Sequence, residues 1–482
     1  SFRGQQIKCY SQIAEFANTR GYTIPKDTNS LAQNASYKGA IVLDPVVGAH
    51  KVWVSALDYA SLYPNIMISN NLSYETYISY SMWERILEDG VELVDTMEMP
   101  GVSGTVFKTY KYKDFIIKEF KMFDDDVYYR FVQNKEGLLR LILIQLMAAR
   151  KRAKCEMKNA KDPFLKEVFN GKQLAVKVSC NSVYGFCAAN MMSNPDIAAC
   201  VTSIGRSFIM YTKYLLEREF PCKVLYGDTD SNYCEFYPPD NWEGTDEQYN
   251  FHISPIASEL VTKKVDEFVY YKGHNNLEHE KSLNPMIFYS KKRYIGLGKE
   301  TIDGKSKITM MGIQSVRRDC CDLVKNMAAT VIDLMVKQDF QIDEINRYLI
   351  ETTTKLFEGY IPHEQLVLSK ALTRVKKCEN MMPAKQKSGG VVQCKNNQKF
   401  VVTGEVNGEK VRLTVCDKCR CNQYSDFKFD LSAREKQAHV YLANKMFERD
   451  PASAPLTGAR VHYLLIKNDK AVLQCDRAED VQ

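Results

Sequence analysis

The stretch Tyr226-Gly-Asp-Thr-Asp-Ser231 constrains this chain more than any other. Apolar Val224-Leu225 precede it, and the pattern predicts a strand turning tightly through Gly227-Asp228. Residues i and i+2 of a strand project to one face. The turn is therefore expected to present Asp228 and Asp230 together. Two like charges held close are costly unless something positive binds between them. Hard oxygen ligands of this kind suit Mg²⁺. Taken alone, the pair also fits an ordinary surface turn, so the rest of the chain has to decide.

A third acid stands in a similar context. His50-Lys-Val-Trp-Val-Ser-Ala-Leu57 reads as a strand, rich in β-branched and aromatic residues, ending at Asp58. Carboxylates from distant strand ends can converge on two Mg²⁺ ions that serve an in-line displacement. Asp58 also fits a helix N-cap ahead of Ser61, and Pro64 is placed to open that helix.

Counter-charge comes from a predicted helical hairpin. The segment from Asn134 to Asn159 is amphipathic, Asp162-Pro163 looks like a turn and helix start, and a second helix runs to about Tyr184 with a possible break at Asn170-Gly171. Between Arg140 and Lys177 there are ten Lys or Arg against three Asp or Glu. Lys177 and Asn181 share one helix face, as do Arg150 and Lys154. Arg offers a fixed fork for phosphate oxygens and Lys a movable point charge. Such a pair of helices suits a triphosphate, and Lys177 is placed to protonate a departing pyrophosphate. Read bare, the same residues make an ordinary charged helix. A second basic excess, eight against three, runs from Lys291 to Asp319. Clustered positive charge beside paired acids suggests a polyanion held near a metal.

At 482 residues the chain is expected to form two or more domains. The net charge of +6 decides little by itself. Most of the fifteen cysteines stand singly or in apolar contexts, as Cys9, Cys180, Cys187 and Cys200 do, and read as reduced core thiols of an intracellular protein. No apolar run reaches the ~18–20 residues of a membrane span. Residues 75–125 read as strand and loop, Asp196–Phe220 and 255–272 as helical, Phe288–Leu297 and Ile308–Val316 as strands. Cys320–Arg374 reads as mostly helical, and helix returns at Ser432–Arg449.

Four segments now align. Asp58-Tyr-Ala-Ser-Leu-Tyr-Pro64, Lys177-Val-Ser-Cys-Asn-Ser-Val-Tyr-Gly185, Tyr226-Gly-Asp-Thr-Asp-Ser231 and Lys291-Lys-Arg-Tyr294 resemble, in order and spacing, the polymerase motifs of family B DNA polymerases. Arg150-Lys-Arg-Ala-Lys154, Lys172-Gln-Leu-Ala175, Arg317-Arg-Asp319, Lys370-Ala-Leu-Thr-Arg374 and Arg449-Asp-Pro451 are similar to the delta-type branch. The resemblance covers nearly the whole chain except about 376–430. It implies an α+β right hand: an antiparallel-sheet palm, helical-hairpin fingers and a mostly helical thumb. The expected division is 1–132 for an N-terminal segment and the first part of the palm, and 133–190 for the fingers. The palm would resume over 191–310, and the thumb would take 311–482 with an insertion at 376–430.

The implied activity is DNA-directed DNA synthesis from dNTPs on a primer–template, with two Mg²⁺. Asp58 and Asp230 would be the main metal ligands, with Asp228 close by, the Tyr59 carbonyl completing the nucleotide-metal site, and Glu278 and Glu280 as auxiliary acids. Ser61, Leu62, Arg150, Lys154 and Lys177 would hold the nucleotide. Tyr63 occupies the position of the ring that blocks a ribose 2′-hydroxyl, since a rigid aromatic under the sugar leaves no room for the extra oxygen. Asn181 and Tyr184 would line the nascent base pair. Lys291, Lys292, Arg293, Tyr294 and Arg317 would grip DNA through contacts that position without reading sequence. A processivity factor and accessory subunits are implied partners, and the nucleus or a viral replication site the implied location.

Nothing resembles the family's acidic exonuclease motifs, so proofreading is not expected of this chain alone. The alternative is a catalytically silent DNA-binding scaffold that kept the fold. The insertion departs from the family and is compatible with a large-virus enzyme. Its Cys416-x-x-Cys419, with Cys378, Cys394 and Cys421, either binds Zn²⁺ through thiolates or carries free thiols.

Overall fold

The computed structural model describes residues 4–23, 37–124, 126–188, 192–337 and 341–372, and beyond these the segments 381–383, 391–393, 399–406, 409–416, 438–449, 455, 459–466 and 474–477. The chain divides into two compact units, Ser1–Met311 and Gly312–Gln482.

The first unit is built on one antiparallel sheet. After helix α1 (Gln5–Thr19) come β1 (Gly48–His50), β2 (Val54–Tyr59), α2 (Leu62–Ser69) and α3 (Tyr80–Asp89). A meander of β3 (Glu92–Glu98), β4 (Val106–Tyr112), β5 (Phe115–Lys121) and β6 (Tyr128–Val132) follows. Then come α4 (Leu138–Asn159), α5 (Pro163–Cys187), α6 (Pro195–Glu219), β7 (Cys222–Asp228), β8 (Ser231–Phe236) and α7 (Asp246–Val265). β9 (Leu277–Ser290), β10 (Arg293–Lys299) and β11 (Lys307–Met311) close the unit. The main sheet has the order β11-β10-β9-β2-β8-β7, with β1 also paired to β9.

Strand periodicity decides what β2 does. Ser55 reaches Asn250 and Ser254 of α7 at 3.0 and 2.6 Å, and the Tyr59 hydroxyl meets Thr212 of α6 at 2.7 Å. Odd positions thus face the helical layer. Even positions face the other way: Val54 and Ala56 join Tyr226, Tyr233, Phe288 and Tyr294 in a second apolar cluster. Each Leu, Ile or Phe fully buried in these layers contributes about 1.5–3 kcal/mol. Asp58 continues the even series where the apolar cover ends.

The hairpin of α4 and α5 is anchored at its base and capped at its tip. Gly137 N–H donates to Asn71 Oδ1 at 2.9 Å, Leu139 N–H to Ser73 Oγ at 3.1 Å, and Leu138 N–H to Glu75. These side chains satisfy amide donors that the first turn of a helix leaves over, and the Glu75 carboxylate suits the positive end of the helix dipole. At the tip Asp162 caps α5, accepting from Phe164 N–H at 3.0 Å, with Pro163 in the first turn.

The second unit contains α8 (Asp322–Lys337), α9 (Ile342–Phe357), β12 (Leu368–Ala371), β13 (Met381–Pro383), β14 (Val391–Gln393), β15 (Lys399–Val406), β16 (Glu409–Cys416), α10 (Ala438–Arg449), β17 (Arg460–Ile466) and β18 (Gln474–Arg477). β12-β17-β18 form one sheet, and Leu442, Val461 and Tyr463 are buried beside it with Leu368 packed on them. No helix among the described residues is long and apolar enough to cross a membrane.

Several expectations change. α5 runs unbroken through Asn170-Gly171, because a single interior glycine weakens a helix only modestly and does not end it. Residues 75–125 contain a helix, α3, besides strands. The helix placed at 255–272 begins at Asp246, with a complete capping box from Thr245 and Gln248. Phe288–Leu297 is two strands rather than one, reversing at Lys291-Lys292. β11 stops at Met311, ahead of a 3₁₀ turn at Gln314–Val316.

Candidate active site

Three backbone features bring Asp58 and Asp230 together. In the β2–β8 ladder Asp58 faces Ser231, and on the other side it faces Glu278 of β9. Tyr59 N–H donates to the Asp230 carbonyl at 2.8 Å. Between the two acids of the turn, Thr229 sits at φ 59°, in the left-handed region. β7 therefore ends at Asp228, and the chain reverses before Asp230.

That reversal corrects the expectation that both acids of the turn share a strand face. The i, i+2 rule holds only inside a strand. Asp228 is occupied elsewhere. Its Oδ1 accepts from Lys292 Nζ at 2.8 Å and from Thr229 Oγ1 at 2.9 Å, and its Oδ2 from the Tyr226 hydroxyl at 3.1 Å. Asp230 instead lines, with Asp58, a cavity of about 560 Å³.

This cavity gathers residues from five elements. The end of β2 supplies Asp58 and Tyr59; α2 and the loop before it supply Ala60, Ser61, Leu62, Tyr63 and Pro64; α4 supplies Arg150 and Lys154; α5 supplies Lys177, Asn181 and Tyr184; β9 supplies Glu278 and Glu280. Its lining mixes acids with cations: Asp58, Asp230, Glu278 and Glu280 beside Arg150, Lys154 and Lys177. Burial pushes the Asp58 carboxyl up to about 7, helped by Asp230 and then Glu280, with Lys177 and Lys281 opposing. Burial likewise raises Asp230. Burial lowers Lys154, with Arg150 adding to it. Acids that repel each other in a half-buried cleft are the donor set that a hard cation relieves. Asp58, Asp230 and Glu280 thus fit Mg²⁺ in chemistry. Among the described residues, however, no three His, Cys, Asp or Glu side chains stand close enough to hold an ion.

Tyr63 forms part of the cavity wall. Its ring packs 4.8 Å from that of Tyr184, centroid to centroid. A Cβ on Gly205 of α6 would stand 3.0 Å from the Tyr63 ring, so this glycine lets α6 close beneath it. Burial, then Asp230, raises the Tyr63 hydroxyl to about 12, which keeps it neutral. The Tyr184 hydroxyl lies 3.3 Å from that of Tyr37. No feature of the sequence marks Tyr37; only its contact with Tyr184 does.

The basic segment expected at the DNA is less free than its charge suggests. Lys291 pairs with Asp44 at 3.0 Å, Lys292 with Asp228, and Tyr294 is buried with its hydroxyl 2.8 Å from that of Tyr233. Arg293 keeps a buried Nε without a hydrogen-bond partner. Arg317, in the second unit, pairs with Asp319 at 2.7 Å. Of the insertion cysteines, Cys416 closes β16, and Cys378, Cys394, Cys419 and Cys421 lie outside the described residues.

The pattern of the family described as DNA polymerase family B matches residues 1–426. The chain belongs to DNA polymerase family B. Among its relatives are proteins named DNA polymerase delta catalytic subunit. That of Candida albicans is 31% identical over 96% of this chain and 36% of its own length. Those of Caenorhabditis elegans and Oryza sativa subsp. japonica are 31% and 32% identical, each over 99% of this chain and 36% of their own. The chain thus spans about a third of the length of these curated relatives. A fungus, a nematode and a plant lend the viral reading no support.

Proposed function

We propose that this chain is a DNA-directed DNA polymerase core that adds a dNTP to the 3′-hydroxyl of a primer. The observation that carries the reading is that one cavity is lined by Asp58 and Asp230 together with Arg150, Lys154, Lys177 and Tyr63. A cleft that holds both acids and cations suits a triphosphate whose α-phosphate meets the metal-binding acids and whose outer phosphates meet the cations.

In this reading the sheet with α6 and α7 is the palm, the α4–α5 hairpin is the fingers, and the unit from Gly312 is the thumb. Asp58 and Asp230, aided by Glu280 and the Tyr59 carbonyl, would hold the divalent ions, which supply positive charge to the reacting oxygens when bound. Arg150 and Lys154 orient the triphosphate. The primer 3′-oxygen loses its proton to solvent and bonds to the α-phosphorus, while the bond to the pyrophosphate oxygen breaks. The Lys177 ammonium supplies the proton that the pyrophosphate takes up. Asn181 and Tyr184 flank the new base pair. Lys291 and Arg293 would contact phosphates of the primer strand, as a copying enzyme that does not read sequence requires.

The relatives' printed name, catalytic subunit, supports the further reading that the chain works within an assembly and on primer–template DNA. Primer extension with a purified chain, dNTPs and Mg²⁺ tests the proposal. Template-directed extension that Asp230→Asn abolishes is the expected result. Tight DNA binding with no extension would favour the silent scaffold.

A further inference from the structure

Arg150 and Ser61 both line the cavity and are in contact there. Arg150 Nη1 donates to Ser61 Oγ at 2.9 Å, joining helix α4 to the loop that follows β2. Ser61 pays for its position: at φ 58° and ψ 58° it is left-handed, a region glycine enters easily and serine does not. The conformation is held from both sides. Asn65 N–H donates to the Ser61 carbonyl at 3.1 Å, and the Asn65 side chain donates to the Ala60 carbonyl at 2.5 Å.

The other edge of the guanidinium is unspent. Arg150 Nε is buried and has no hydrogen-bond partner. A guanidinium is planar, and its Nε–H and one Nη2–H run parallel, a fork that matches two phosphate oxygens. With Nη1 fixed on Ser61, the plane of the group is set and the Nε edge is left for a ligand. A buried donor left without a partner is costly, so something is expected to fill it. Lys154 and Lys177 line the same cavity, and burial with the Arg150 charge already depresses Lys154. An anion is the ligand that relieves all three.

We infer that Ser61 is a positioning residue whose hydroxyl pre-orients Arg150 for the triphosphate. The inference rests on the polymerase reading of the site. Without Ser61 Oγ the long Arg150 side chain would sample several rotamers, and the nucleotide would have to select one. The loss falls on nucleotide affinity rather than on the chemical step, because the hydroxyl itself touches no reacting atom.

The test is the affinity for the next correct dNTP, measured by equilibrium binding to the chain on a dideoxy-terminated primer–template, where no extension can follow. KM and kcat on an extendable primer complete it. Ser61→Ala is expected to weaken nucleotide binding about tenfold, the size of one hydrogen bond to a charged group, with kcat within about twofold. Ser61→Gly, which removes the hydroxyl but relieves the backbone, should weaken binding as much. In an Arg150→Ala background, Ser61→Ala should add nothing. Wild-type affinity in Ser61→Gly would reduce Ser61 to a backbone role and overturn the inference. Additive losses in the double variant, or tighter binding in Ser61→Ala, would overturn it too. If the wild-type chain binds the nucleotide yet never extends an ordinary primer, the polymerase reading fails, and the binding series still decides the role of Ser61.

Discussion

Lys292 Nζ lies 2.8 Å from Asp228 Oδ1, and this ion pair ties two β-turns together. The Tyr226 hydroxyl completes the tie, donating to Asp228 Oδ2 at 3.1 Å and accepting from Lys292 N–H at 2.9 Å. Both turns carry a left-handed residue, Thr229 and Lys292, each at φ 59°. Asp228 is 13% exposed in its side chain and Lys292 59%. The acid is thus the more buried partner of the pair and the lysine the more exposed one. The two acids of one turn have different surroundings: Asp230 lines the cavity, and Asp228 accepts from Lys292, Thr229 and Tyr226.

Asp230→Asn and Asp228→Asn should fail in different ways. The first is expected to abolish extension at any DNA concentration. The second should raise KM for primer–template several-fold and lower kcat far less. Steady-state kinetics with varied DNA separates them, and equal loss of kcat in both would return Asp228 to the metal site.

Replacing the Tyr63 ring should relax sugar selection. In Tyr63→Ala the ratio of ribonucleotide to deoxyribonucleotide incorporation is expected to rise by at least about tenfold, as for a pocket that gains room for one small group. Competition assays with paired NTP and dNTP measure it. Unchanged selectivity would remove Tyr63 from the gate.

Lys177→Ala should slow the chemical step by about 100-fold or more, the range of general acid catalysis, while DNA binding stays within about twofold. Single-turnover rates and a filter-binding isotherm report the two quantities separately. A loss confined to DNA affinity would take Lys177 out of the chemistry.

Lys118 supplies a pH signature for folding. Burial pushes its ammonium down to about 7, and its Nζ donates to the Phe268 carbonyl beneath the rings of Phe107 and Phe120. The unfolded chain, with an ordinary lysine near 10.4, binds more protons than the native one between those values, so this group makes stability rise with pH there. Raising the pH from 7 to 9 should widen the Tm of the wild type relative to Lys118→Met. A difference that stays flat over that range would mean that Lys118 is charged where it lies.

Four short motifs marked the candidate site residues in advance because each is local. Helix spacing put Arg150 with Lys154 and Lys177 with Asn181, and all four line one cavity with Asp58, Asp230 and Tyr63. The hairpin and its Asp162-Pro163 start were legible for the same reason, since capping and periodicity act over a few residues. Gly171 misled as a helix break because one interior glycine weakens a helix without ending it.

What the sequence by itself determined was therefore composition and spacing: which acids, cations and rings exist, and which of them share a helix or strand. Tertiary structure alone decided which side each acid of the Asp228-Thr-Asp230 turn would serve. A left-handed Thr229, a hydrogen bond from Tyr59 to Asp230 and a lysine 64 residues further on gave them different partners. The same holds for Tyr37 beside Tyr184 and Ser61 beside Arg150. Side-chain direction at a turn depends on backbone dihedrals and on charges brought from far along the chain, and neither is written in a local pattern.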